Sequence, residues 1–161
     1  MSEYLVPGVP YVAQDNDWNC WEASYKMLLG YRGRNQNDTK NVPNYAKILE
    51  DGMKDEYLLP CRQYFGLSST RSSHFSSIEN IDQALRSYGP IWCDGRFWAK
   101  NGWHVVVLVG YRTNLLSEDE VAVHDPWSGY KSRTMAGPRW WGLGYFTTHL
   151  NPHDWASQHW G

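Results

Sequence analysis

An α+β fold, with N-terminal helices packed on a C-terminal antiparallel β-sheet, is what this 161-residue sequence predicts. Three observations carry that expectation. Cys20, Ala23, Ser24, Met27 and Leu28, and later Ile78, Ile81, Leu85 and Tyr88, recur at helical spacing in the first half. Beyond Gly89-Pro90 the run Trp103–Gly110 is continuously apolar and β-branched, as in a strand buried on both faces. Val121–Asp125 then alternates as a second strand, and the short turn Leu115–Glu120 makes the pair antiparallel.

In chain order, residues 5–13 read as an extended edge segment, because Pro7 and Pro10 exclude a helix. A first helix is expected over Cys20–Leu29, stopped by Gly30. The polar stretch 31–42 reads as a surface loop. A second helix starts near Pro43 or Asn44, with Tyr45, Ile48, Leu49 and Met53 on one stripe. Residues 57–66 suggest a short third helix broken around Pro60, followed by loop to His74. Ser76-Ser77-Ile78-Glu79 fits a capping box for a fourth helix ending at Gly89. Ile91–Cys93 starts a strand, 95–102 is turn, and Arg139–Phe146 is a candidate closing strand. There is no internal repeat, and the length suits one domain spanning residues 1–161.

Composition narrows the function. Hydrophobic content of 42% with 20% charged residues is that of an ordinary folded chain. A net charge of −2 offers nothing to nucleic acid or to an anionic membrane, and no apolar run approaches the ~20 residues that span a bilayer. Three irregularly spaced cysteines describe neither a disulfide framework nor a zinc site, so no cofactor is expected. Met1-Ser-Glu-Tyr-Leu5 has no basic n-region or h-region, which points to a cytoplasmic protein, with export by a signal-independent route as the alternative. Ten Trp and eleven Tyr hint at an aromatic-lined groove as well as an aromatic core.

The chemistry concentrates on Gln14–Leu29. A turn-forming run (Asp15, Asn16, Asp17, Asn19) delivers Cys20 to a helix N-terminus, where free N–H groups and the helix dipole favour an anion such as a thiolate. The Gln14 amide, six residues upstream, can reach back and pair with the Cys20 N–H as a two-donor oxyanion hole. A thiol nucleophile needs a base, and His104 stands where the buried strand begins. Asp125 ends the neighbouring strand and suits orienting an imidazole, although Asp before Pro126 also simply opens turns. His124 is a rival base, but strand alternation turns it away from Asp125. His74, His149, His153 and His159 read as ordinary surface residues. Cys61 and Cys93 read as small buried hydrophobes. Trp21 reads as a core and groove-wall residue, and Trp98, Trp103 and Trp127 flank these groups as substrate subsites or core packing; Trp21, Trp103 and Trp127 are the substrate-binding candidates. The terminal tryptophans from Trp140-Trp141 through Trp155 and Trp160 fit either sheet packing or a partner surface.

Gln14 followed six residues later by Cys20-Trp21 at the mouth of a helix resembles the papain-like cysteine peptidases, and most of all their small bacterial C39-like and C70-like branch. The cysteine is preceded by Asp17-Trp18-Asn19, which departs from the Cys-Gly-Ser of the better-known plant and lysosomal members. The resemblance covers roughly residues 5–130 and rests on Gln14, Cys20, His104 and Asp125 occurring in that order. It implies a minimal papain-like fold and an endopeptidase with a Cys-His-Asp triad and a Gln oxyanion donor. It also implies a protein or peptide substrate, and an effector or toxin acting in another cell, with a cognate immunity or inhibitor protein in the producer. Two other readings of the same site are a transglutaminase-like deamidase or cross-linker and a leader-peptide processing peptidase. A third is a non-enzymatic binding module.

Overall fold

One antiparallel sheet organises the chain in the computed structural model, which describes residues 1–97, 102–132, 137–153 and 156–161. Its strands are β1 (Glu3–Leu5), β2 (Ser68–Ser69), β3 (Ile91–Gly95), β4 (His104–Arg112), β5 (Glu120–His124), β6 (Arg139–Gly142) and β7 (Ser157–His159). They lie in the order β2-β7-β3-β4-β5-β6, and β1 continues the β3 edge by pairing with the far end of β4. The helices are α1 (Cys20–Tyr31), α2 (Tyr45–Asp51), α3 (Asp55–Phe65), α4 (Ile78–Tyr88), α5 (Pro126–Ser132) and α6 (Leu143–His149).

Strand β4 explains the layering. Val105, Val107 and Val109 share one apolar cluster with α1, α2 and α3, while Val106 and Leu108 join α4 and Phe146 of α6 in the other. Both faces are therefore covered, and the run reads as uninterrupted hydrophobics, each worth ~1.5–3 kcal/mol when fully buried. The register between β4 and β5 slips between Leu108 and Gly110, a bulge beside the point where β1 joins. Gly110 is required there, because a Cβ would run into the backbone of Tyr4 and Leu5.

Several local expectations are corrected. Helix α1 runs through Gly30 to Tyr31; a Cβ on Gly30 would meet Gln36 and Pro10 at 2.7 Å, so that glycine serves close packing and not termination. The polar stretch 31–42 contains a 3-10 helix, Gln36–Asn41, whose Thr39 donates to Glu22 (2.9 Å). Helix α3 is not broken at Pro60: its stripe Tyr57, Leu58, Cys61 and Phe65 is buried, which outweighs one missing helical hydrogen bond. Leu49, expected on the buried stripe of α2, is 51% exposed. The N-cap of α4 is Ser77, accepting from the Asn80 N–H (3.3 Å), and not Ser76. The closing strand stops at Gly142 and turns directly into α6.

The C-terminus holds the largest surprise. β7 lies inside the sheet, between β2 and β3. Gln158 accepts from the buried Tyr25 hydroxyl (2.7 Å), and Trp160 donates to the Phe65 carbonyl (3.0 Å). His159, expected at the surface, is buried, stacked on Tyr88 at 3.9 Å and bonded to Thr70 (2.7 Å). Trp140 and Trp141 pack on Arg112 and Phe97, so the terminal tryptophans among the described residues are packing groups. Trp155 lies outside the described residues.

Candidate active site

Cys20 is the first residue of α1, half-buried and lining a cleft of about 670 Å³. The preceding turn explains how it is presented. The Asn19 side chain is engaged with the turn, its Oδ1 accepting from the Asp15 and Asn16 N–H groups (3.2 and 3.3 Å), and it does not cap α1. The N–H groups of the first helical turn are consequently left for an anion at Cys20.

His104 opens β4, and its Nε2 meets Asp125 Oδ1 at 2.7 Å. The Cys20 side chain acts on the same ring and favours its charged form. Burial disfavours charge on His104, but the Asp125 carboxylate and Cys20 more than offset it and raise the imidazole to about 10. Asp125 is fully buried, and its Oδ1 also accepts from the Trp127 N–H (3.0 Å), which fixes the carboxylate against the start of α5.

Tyr11 joins the N-terminal segment to that turn. Its hydroxyl donates to the Asp125 carbonyl (2.6 Å) and accepts from the Gly129 N–H (2.6 Å). The Gln14 N–H donates to the Pro126 carbonyl (3.1 Å). Two segments remote in sequence are thereby held in register around the Cys20–His104–Asp125 line.

The remaining candidates fall differently. Trp103 and Trp127 line the cleft. Trp21 does not: it is 1% exposed and packed edge-on against Tyr25 and Tyr45, so its core role stands and the groove-wall expectation is corrected. A residue following the first helical position turns inward when the helix buries that stripe. Gln14 is buried outside the cleft lining, with its Nε2 donating to the Asn16 carbonyl (2.7 Å). His124 stacks edge-on against Tyr11 at 5.6 Å and lines no part of the cleft, as strand alternation anticipated. Trp98 lies outside the described residues.

Sequence reasoning passed over Trp18, 73% exposed at the rim, and the apolar wall of Met53, Leu58 and Phe97. It also passed over Asp94, a buried carboxylate in the cleft. The available signal was a lone acid closing the otherwise apolar strand Ile91-Trp92-Cys93. Among the described residues no group of three or more His, Cys, Asp or Glu side chains is placed to hold a metal ion. No helix among them is long and apolar enough to cross a membrane.

A thiol at a helix N-terminus and a raised imidazole on one cleft, with a buried carboxylate bonded to the imidazole, are suited to acyl transfer through a thioester. No curated protein matches the chain. The family model described as papain-like cysteine protease AvrRpt2 matches residues 6–140, which include Gln14, Cys20, His104 and Asp125. The chain belongs to that family, peptidase family C70, and is a papain-like cysteine peptidase.

Proposed function

We propose that Cys20, His104 and Asp125 are the catalytic triad of an endopeptidase that cleaves a protein target. The observation that carries this reading is the 2.7 Å His104–Asp125 bond with Cys20 on the same ring. The Cys20 thiolate attacks the scissile carbonyl carbon. His104 gives its proton to the departing amine as the C–N bond breaks, leaving a thioester on Cys20. Water then adds to the thioester while His104 takes a proton from it, and the acid product leaves as the thiolate returns. Asp125 holds the ring in orientation and supports its charged form.

The oxyanion is received by the Cys20 N–H and by Gln14. Asn16 takes one hydrogen of the Gln14 amide, and the second is the proposed donor. Gln14→Ala is expected to lower turnover by roughly 10²–10³-fold with the fold intact. Unchanged turnover would remove Gln14 from the reaction.

The biological setting, an effector or toxin exported without a signal peptide into another cell and restrained in the producer by an immunity protein, is supported by the family resemblance alone. The reaction itself is tested by mapping new protein N-termini in a lysate treated with the native protein and with Cys20→Ala. Cys20-dependent N-termini are expected. One-dalton gains on glutamines with chains intact would replace proteolysis by deamidation.

A further inference from the structure

We propose that the cleft beside Cys20 contains a subsite for a basic side chain, lysine or arginine, flanking the scissile bond, with Asp94 as its specificity-determining carboxylate. The proposal deepens the peptidase reading by naming a substrate class, and it stands on geometry. Asp94 pairs across the sheet with Val105, so both side chains point to the face covered by α1, α2 and α3. There Asp94 is only 4% exposed, yet it lines the same cavity as Cys20 and His104.

A buried carboxylate needs compensation. Asp94 accepts from Asn151 Nδ2 (3.1 Å) and from the Gly95 N–H, which are neutral donors. Among the described residues the cation that acts on it is His104, which is already engaged by Asp125 and Cys20. Another acid, Asp55 at the start of α3, lines the same cavity and acts on Asp94 with like charge. Among the described residues no lysine or arginine lines the cavity. Asp51, paired with Lys54 (3.4 Å), and Asp17, bonded to Tyr130, line the same cavity, so a guest there meets acidic side chains.

The walls fit the same guest. Met53, Leu58, Phe97 and Val105 line the same cavity as Asp94 with apolar surface. Lysine and arginine bury an aliphatic stem while their charged head seeks an anion, so stem and head are both matched. A leucine would cover the walls and leave the carboxylate without a countercharge; a glutamate would face like charge.

Burial, with Asp55 adding to it against the pull of Asn151, His104 and the Gly95 N–H, raises Asp94 to about 7. Other titratable groups packed around it are Cys93 and Tyr25, both held neutral well above that range. Preference for a basic side chain therefore grows as pH rises through about 7, because ionised Asp94 is the form that attracts it.

The test is affinity selection of a chymotryptic peptide library from a cell lysate on the Cys20→Ala protein, followed by cleavage of the same library by the native protein. Retained peptides should be enriched in lysine and arginine. The enrichment should weaken from pH 8 to pH 5.5 and disappear on Cys20→Ala/Asp94→Asn. A retained arginine peptide remade with citrulline should bind roughly 10- to 100-fold more weakly to Cys20→Ala, a comparison that does not depend on how the double variant folds. Selection without Lys/Arg enrichment, no retention at all, or equal binding of arginine and citrulline peptides overturns the subsite. Cys20-dependent cleavage with no basic residue near the cut also overturns the subsite while upholding the peptidase. Basic-selective retention without any cleavage upholds the subsite and overturns the peptidase reading.

Discussion

At the scale of single residues, His104 is the group on which the chemistry turns. Its folded value near 10 lies above the ordinary ~6.5 of a free imidazole, so the folded protein holds an extra proton between those limits. The stability this contributes is fully present below ~6.5 and is lost as pH rises through about 10. The imidazolium is also the acid that the leaving amine needs, so activity should fall on the same alkaline limb. Asp125→Asn removes the largest influence raising His104, and the alkaline limb of kcat/KM is expected to move about a unit or more toward neutral. An unmoved limb would show that Asp125 does not support the charged ring. The other thiols behave differently: Cys61 and Cys93 are fully buried, and burial pushes both up to about 12. Iodoacetamide at mildly acidic pH should therefore modify Cys20 well before either, as read by peptide mass mapping. Faster labelling of Cys61 or Cys93 would contradict the assignment of the nucleophile.

At the scale of elements, the site is assembled by junctions. The α1 N-terminus, the start of β4 and the β5–α5 turn each deliver one polar group, and Tyr11 ties the first segment to the third. Gly129 is part of that junction, since a Cβ there would meet the Tyr11 ring at 2.8 Å and Ala13 at 2.9 Å. Tyr11→Phe removes two short hydrogen bonds of ~0.5–1.5 kcal/mol each, so a denaturation midpoint lower by the equivalent of ~1–3 kcal/mol is expected, with reduced turnover. A variant as stable as the parent would mean that the hydroxyl does not hold the segments together. Pro60 makes a related point about elements. A helix accepts an interior proline when the stripe around it is buried as thoroughly as Tyr57, Leu58, Cys61 and Phe65 are.

At the scale of the whole molecule, the C-terminal strand is what closes the sheet. β7 pairs β2 on one side and β3 on the other, and β3 carries Asp94 into the cleft. Deleting residues 156–161 would uncover the β3 edge and leave the buried Tyr25 hydroxyl without Gln158. The truncated chain is expected to lose its cooperative thermal transition and to be digested readily by trypsin. A protease-resistant, cooperatively melting product would show that β7 is dispensable. Gln158→Leu isolates part of this effect, with ~1–3 kcal/mol lost from leaving one buried donor unsatisfied, measurable by urea denaturation.

The sequence by itself determined the α+β class, the doubly buried β4 run and the order in which Cys20, His104 and Asp125 arrive, because helical spacing, β-branched runs and turn residues are local signals. It also marked Cys20 as a helix-terminal cysteine, since the turn-forming residues and the apolar stripe adjoin it in the chain. Other features depended on partners distant in sequence and were decided only by tertiary structure. Ser157-Gln158-His159 is too short and polar to read as a strand, and becomes one through hydrogen bonds offered on both sides by β2 and β3. Trp21 looked like a groove wall beside the nucleophile, yet its direction is set by the helix face that Tyr25, Tyr45 and Trp92 bury. Asp94 carried no functional reading in the sequence; its pairing with Val105 and the Asp55 and Leu58 side chains of α3 set it in the cleft. Burial and charge environment are properties of the assembled molecule, because they are set by side chains that the sequence separates and the fold brings together.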